Sequence, residues 1–423
     1  MNNKILLIAI IPVSIILGLI VGIFKGISMP DKVETSTNNH GENVNFSGNM
    51  LVSGDVSEFG VNNSDSGEST PKDTDSKVSN ITPLVYDSIK AVYSTGWVAG
   101  TKSMRETMIK NITDNGFNAV VLDIKDEAGH LSYNSSVQTA IDVKASRNMV
   151  KDIKSVIDEY HANGIYVIGR IVTFKDPTYA KAIKEISYKK EDGTYWTDSN
   201  GNYWPNPYDE RTWEYPIELA KEAASLGFDE IQFDYIRFPS SEGRVKQIAY
   251  EFDSSTVSKS EVINKFLTRV MDEMAEYKIK ISADVFGIIT KRDGDFENIG
   301  QDYKAISQIV DVVCPMVYPS HYGYGEYKIS KPDLNPYEII YGSVSDAFER
   351  ISGDSNTAEI RPYLQDFTAS WLGKGNYQVY GSQAVKEQIQ ACYDLGLNSF
   401  TLWDPNNKYC YEALALIENK SGE

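Results

Sequence analysis

Cysteine is scarce in this chain: three in 423 residues, Cys314, Cys392 and Cys410. An odd, scattered set without CxxC spacing builds neither a disulfide framework nor a zinc site. Cys314 sits in an apolar run and reads as core. Cys392 and Cys410 fall near two late helices, where a bridge would require geometry that spacing does not supply. Histidine is nearly as rare, with four residues and no HExxH. A metal site is therefore not indicated, and no cofactor is expected. No GxSxG elbow occurs, which weakens a serine-hydrolase reading. Positive charge is also in deficit: 41 Lys and Arg stand against 59 Asp and Glu, a net charge of −18. Such a surface repels phosphate backbones, so nucleic acid is not an expected partner. Broad binding to anionic lipid is disfavoured for the same reason.

Long apolar runs are few. The conspicuous one is Ile5 to Phe24, flanked by Lys4 and Lys25. About 20 apolar residues cross a bilayer. The run exceeds a signal-peptide core, and no A-x-A site follows it. Residues 1–27 thus read as an uncleaved signal-anchor helix, with a cleaved signal peptide as the alternative. The expected location is the cell membrane, single-pass, with the large domain outside; cleavage would make the protein secreted. Residues 28–83 are rich in Asn, Ser, Asp, Gly and Thr and poor in large apolar residues. A segment of that composition buries too little to offset its chain entropy, so a disordered linker is expected.

From residue 84 to 423 the pattern changes. Apolar runs of strand length recur at Ala91–Trp97, Ala119–Lys125, Tyr166–Phe174, Glu230–Phe238, Lys280–Gly287, Asp311–Pro319, Ile360–Phe367 and Ser399–Pro405. Amphipathic helical stretches alternate with them, near Ser103–Asn115, Asn148–Asn163, Thr212–Leu226, Lys259–Tyr277, Asp302–Val310, Pro336–Ile351, Ser382–Leu395 and Lys408–Glu418. Several end at a glycine just before the next strand, as in Leu226-Gly227-Phe228. That is left-handed C-capping followed by return into a sheet. Strict β-α alternation repeated eight times predicts an α/β fold, a (β/α)8 TIM barrel. A doubly wound open sheet is the runner-up, disfavoured because no GxGxxG follows the first strand.

In barrels the βα loops carry the active face. Here those after strands two, three and six are elaborate, and the third is aromatic, with Trp196, Trp204 and Trp213. Strand alternation then sorts side chains. In EIQFDYIRF, Gln232 and Asp234 point inward while Ile231, Phe233 and Tyr235 pack under helices. In KISADVFG, Ser282 and Asp284 point inward. Asp123 and Lys125 share a face, and Arg170, Tyr318 and Trp403 face the mouth. Acidic groups in a barrel are costly unless paired or functional.

Glycosidic cleavage requires two carboxyl groups astride one bond. Asp234 and Asp284, on adjacent strands, are the expected catalytic pair. Asp234 would be nucleophile or electrostatic stabiliser, and Asp284 general acid. Asp123 and Asp126 are the substitutes, with Asp404 behind them. Expected substrate contacts are Asp123, Lys125, Arg170, Trp204, Arg237, Tyr318, His321 and Trp403. Rival readings stay open: Asp234 in a buried structural network with Arg170 or Lys125, Asp123 with Lys125 as a rim ion pair, and the loop tryptophans as closure over the core.

The motifs GWVAGT, LDIKDEAG, GRIVTFKDP, WPNPY, GFDEIQFDYIRFP, SADVFG, CPMVYPSHY, RPYLQDF and LWDP stand in order between Gly96 and Pro405. This set resembles the glycoside hydrolase-like domain of bacterial surface proteins, a branch of the TIM-barrel glycosidase superfamily. The resemblance spans about residues 84 to 418. It implies the barrel and a glycan substrate. It also matches Asp234 to the strand-four acid that is nucleophile in several relatives. The strand-five position, often Glu in those relatives, is Asp284 here. The expected function is cleavage of a cell-surface or extracellular polysaccharide. The alternatives are a non-catalytic carbohydrate-binding barrel, acting as surface adhesin or wall-organising module, and, more distantly, a metal-dependent polysaccharide deacetylase.

Overall fold

The computed structural model describes residues 84–240, 244–250, 256–291 and 298–418. The signal-anchor (1–27) and linker (28–83) lie outside the described residues. Among the described residues no helix is long and apolar enough to cross a membrane.

Eight parallel strands form one sheet: β1 (Lys90–Ser94), β2 (Ala119–Lys125), β3 (Tyr166–Val172), β4 (Glu230–Asp234), β5 (Lys280–Phe286), β6 (Val312–Met316), β7 in two pieces (Glu359–Ile360 and Tyr363–Gln365) and β8 (Phe400–Trp403). β1 pairs with β8, β8 with β7, and β7 with β6, so the sheet closes on itself. Closure leaves no edge strand and excludes the open doubly wound sheet. The outer helices are α1 (Lys102–Asp114), α2 (Ile153–Ala162), α3 (Arg211–Leu226), α4 (Lys259–Met274), α5 (Tyr303–Ser307), α6 (Pro336–Ile351), α7 (Ser382–Asp394) and α8 (Glu412–Glu418).

Local chemistry sets several boundaries. Ser258 and Glu261 make a reciprocal capping box at α4, which satisfies two otherwise orphaned N–H groups. Asp152 caps α2, so that helix starts at Ile153 rather than near Asn148. Gly227 ends α3 at φ +108°, a conformation closed to side chains with a Cβ. β1 stops at Ser94 because Thr95 caps a short helix, Gly96–Gly100. Trp97, expected in the strand, is instead 63% exposed.

Period-2 alternation divides the core in two. Val92, Val120, Leu122, Val167, Ile231 and Phe233 pack outward with Ile112, Ile157, Leu219 and Phe266 of the helices. Ala91, Tyr93, Ala119, Val121, Tyr166 and Ile168 fill one part of the interior. Val312, Cys314, Tyr318 and Tyr363 fill another. The three cysteines are free.

Two buried ion pairs brace the barrel. At its N-terminal end Arg361 forks onto both oxygens of Glu230, and both side chains are fully buried. Tyr166 Oη adds a hydrogen bond to Glu230 at 3.3 Å. Behind the sheet, Lys125 Nζ meets Asp176 at 2.7 Å, again fully buried, and lies 4.7 Å from the Tyr215 ring centroid. The β2 register shifts between Asp123, opposite Arg170, and Lys125, opposite Ile171. One residue is thereby skipped, so Asp123 and Lys125 do not share a face. Lys125, expected as a substrate contact and as partner to Asp123, belongs to the helix side.

Removing one member of a buried ion pair strands the other's charge. Glu230→Gln is expected to cost about 3–5 kcal/mol of folding stability, measured by urea denaturation. A loss below about 1 kcal/mol would show that Arg361 does not depend on the pair.

Candidate active site

Strand register builds the mouth. Phe233 pairs with Ala283, so Asp234 and Asp284 come one step later at the same level on neighbouring strands. Adjacent strands lie about 4.8 Å apart. Asp234 also pairs back to Val172 of β3, and Arg170 lies opposite Asp123.

Arg170 occupies the centre. Its Nη1 donates to Asp123 Oδ1 at 2.6 Å. Nε and Nη2 donate to Asp234 Oδ2 at 3.1 and 2.6 Å, and Nη2 also reaches Glu127 Oε1 at 2.7 Å. The guanidinium sits 5.3 Å from the Trp403 ring and 5.8 Å from the Tyr93 ring. Burial opposes its charge, but Glu127, Asp123 and Asp234 outweigh it and hold the cation above its ordinary range. The same cation, with Lys175, keeps the half-buried Glu127 below its ordinary value against the cost of burial. Asp123 takes a second hydrogen bond from Tyr93 Oη. Burial pushes the Asp123 carboxyl up to about 7, and Glu127 adds to this, although Arg170 pulls the other way.

Asp234 accepts Arg170 on one oxygen and the Tyr235 backbone N–H on the other. Asp284 is 1% exposed, and its Oδ1 finds no hydrogen-bond partner among the described residues. Burial first, and the neighbouring Asp234 second, drive its carboxyl well above the ordinary range. The two acids thus occupy opposite environments: one held by a guanidinium, the other desolvated, with one oxygen that no described donor meets. That is the arrangement separating an acceptor or nucleophile from a proton donor.

The strand-four acids have separate jobs. Asp229 accepts the backbone N–H groups of Leu84 and Val167 and meets His161. Glu230 holds Arg361. Only Asp234 of the three reaches the mouth network with Arg170.

Other expected residues fall around this centre. Tyr318 is 7% exposed, and burial followed by Asp284 and Asp234 raises its phenol well above its ordinary range. His321 lies 5.2 Å from the Tyr318 ring and bonds Ser320 Oγ at 2.9 Å. Burial lowers its imidazole to about 4, which keeps it neutral. Trp403 packs against Tyr93 with ring centroids 4.1 Å apart and the planes tilted by 33°. Trp204 is 4% exposed, and its indole N–H donates to Asp198 at 3.1 Å. It backs Arg237, 5.4 Å away, and Tyr235, 6.2 Å away, rather than lying open as a direct sugar contact. Trp196 and Trp213 are also buried, with indole N–H groups on the Arg244 and Pro207 carbonyls; they close the loop. Asp126 and Asp404 organise turns: Asp126 accepts Ala128 and His130 N–H groups, and Asp404 accepts Asn406 and Lys408.

Tyr235 departs from alternation. It takes φ +50° just past β4, a conformation strained for an aromatic residue. The turn brings its ring beside Lys175 at 4.6 Å and Arg237 at 4.8 Å while it stays partly buried against the outer core. Glu127, Tyr93, Lys175, Tyr363 and the stacked pair Phe367–Trp371, 5.9 Å apart, escaped the residue reading. Tyr93 was findable, being in phase with inward Ala91. The loop residues carried no periodic signal.

A closed (β/α)8 barrel with acids converging at the C-terminal mouth is the architecture of many glycosidases. The family model described as "putative glycosyl hydrolase domain" matches residues 91–409, and the chain belongs to that family. The fold is similar to the glycoside hydrolase domain of PgaB (BpsB) from Bordetella bronchiseptica, at 12% identity over 77% of this chain and 99% of that one, TM-score 0.53. It is also similar to a β-galactosidase from Marinomonas ef1, at 10% identity over 79% of this chain and 59% of that one, TM-score 0.55. A hypothetical protein from Ruminiclostridium thermocellum ATCC 27405 is 36% identical over 46% of this chain and 97% of its own, TM-score 0.43. No curated protein matches the sequence.

Asp123 supplies a pH test. Its carboxyl is near 7 folded and about 3.9 in an unfolded chain. The folded state therefore binds this proton more tightly. Its contribution to stability is full below about pH 4 and is lost as pH rises through about 7. Urea denaturation at pH 5 and pH 8 should show a smaller loss for Asp123→Asn than for the parent. Equal losses would remove the buried, proton-holding role.

Proposed function

We propose that this barrel hydrolyses glycosidic bonds of a polysaccharide outside the cell, with Asp234 and Asp284 as its two working carboxyl groups. The observation that carries the reading is the contrast between them. Asp284 is buried and strongly favours its protonated form, whereas Asp234 is an acceptor clamped by Arg170. In this mechanism Asp284 gives its proton to the leaving glycosidic oxygen as the C–O bond breaks. Asp234 Oδ1, which is not engaged by Arg170, attacks the anomeric carbon and forms a glycosyl ester. Asp284, now a carboxylate, takes a proton from water, which attacks the same carbon and frees Asp234. Neighbouring strands suit the short carboxyl spacing of enzymes that retain anomeric configuration. Trp403 and the Phe367–Trp371 stack, all partly exposed, offer rings to sugar faces. The Ile5–Phe24 run would tether the domain at the membrane, or direct its secretion if cleaved.

Release of reducing ends from a panel of wall and capsular polysaccharides tests the proposal. Asp234→Asn should lower the rate on the order of 10³-fold or more while glycan binding persists. Asp284→Asn should lower it about 10²–10⁴-fold. If the parent binds glycans but releases no reducing ends, the carbohydrate-binding reading replaces the hydrolase.

A further inference from the structure

Buried cations in this barrel come with carboxylates. Arg105 pairs with Glu159, Lys125 with Asp176, Arg170 with Asp123, Glu127 and Asp234, and Arg361 with Glu230. Arg237 is the exception among the buried cations of the described residues. It is 5% exposed, and among the described residues its one hydrogen bond is from Nη1 to the Phe238 carbonyl at 3.0 Å. Its guanidinium is flanked by three rings, Trp204 at 5.4 Å and Tyr235 and Phe286 at 4.8 Å. Ring faces stabilise a cation but do not neutralise it. Burial accordingly lowers the Arg237 guanidinium from its ordinary value.

A second cation meets the same Tyr235 ring. Lys175 Nζ lies 4.6 Å from that ring and 3.4 Å from its hydroxyl, and no described carboxylate is within ion-pair reach of it. Two cations with no ion-pair partner among the described residues therefore share one ring, which the left-handed turn after Asp234 holds beside that acid; Glu127 acts on Lys175 only from beyond ion-pair distance. In a chain carrying 59 acids against 41 bases, a basic edge with no ion-pair partner among the described residues is a local exception. An isolated buried charge is costly unless something completes it. A guanidinium fork beside an ammonium matches the oxygens of an acidic group.

Resting on the hydrolase reading for the position of the sugar chain, we infer that Arg237 and Lys175 form a subsite for an acidic sugar, one that bears a carboxylate, sulfate or phosphate ester. Arg237 would set specificity, and Trp204 would hold it in place.

The test is retention of the full chain on arrayed oligosaccharides, in an Asp284→Asn background so that hydrolysis does not consume the probe. The array carries uronate, sulfated and phosphorylated oligosaccharides, each beside its neutral counterpart. Acidic members are expected to be retained over neutral ones, and the three arms identify the acid. Arg237→Gln should lower retention of the acidic members at least about 10-fold and leave neutral ones unchanged. Lys175→Gln, at a half-exposed site, should act in the same direction without threatening the fold. Equal retention of neutral counterparts, retention of no acidic member, or undiminished retention by Arg237→Gln overturns the subsite. Retention of acidic glycans with no reducing ends released by the parent would overturn the hydrolase and keep the subsite. Release from neutral glycans alone would do the reverse.

Discussion

The mouth depends on one buried guanidinium. Arg170 ties β2, β4 and the loop after β2 together through Asp123, Asp234 and Glu127. Three acids facing one another without it would repel and protonate; a cation without them would be stranded in a low-dielectric interior. The fork shape matters as much as the charge, because Nε and Nη2 share one Asp234 oxygen while Nη1 turns to Asp123. Tyr93 and Trp403 shield the guanidinium with their rings. Arg170 thus anchors a buried structural network and, in the proposed hydrolase, also holds the nucleophile. Of the readings of Asp234 that the strand pattern left open, the contact with Arg170 is the one present in the structure.

That network reaches Asp123, Glu127 and Asp234 but does not bond Asp284. Asp284 sits on the neighbouring strand, beyond Asp234, with a carboxyl oxygen that bonds no described residue. A desolvated carboxyl beside another acid keeps its proton. The asymmetry comes from placement, since the two side chains are chemically identical. The barrel supplies that placement by closing its sheet: register fixes height, strand spacing fixes separation, and helices on the outside exclude water. The N-terminal Glu230–Arg361 pair is far simpler, one acid on one base, fully enclosed. Its role ends at holding strands together.

Strain and spare charge gather on the same edge. Tyr235 holds a left-handed backbone, and Arg237 holds a cation that no described carboxylate meets. Each costs stability, and natural folds keep such features mainly where they serve a site. The loop after β3 supports the edge from behind through Trp204, whose indole is anchored on Asp198.

Much of this protein was legible before any coordinates. The β-α alternation, the glycine stops such as Gly227, and the inward phase of Asp234 and Asp284 follow from residue types and their spacing. Local propensity and period-2 patterning act over a few residues, so they survive in the linear text. Tertiary structure decided the rest. A skipped residue in β2 sent Lys125 to Asp176, and a left-handed turn set the Tyr235 ring beside Lys175 and Arg237. Trp204 went behind Arg237, and Glu127 came onto Arg170 from a loop with no periodicity. Each of these outcomes depends on contacts between segments far apart in the chain, and on which desolvated charge meets which partner. Neither is written in the local order of residues.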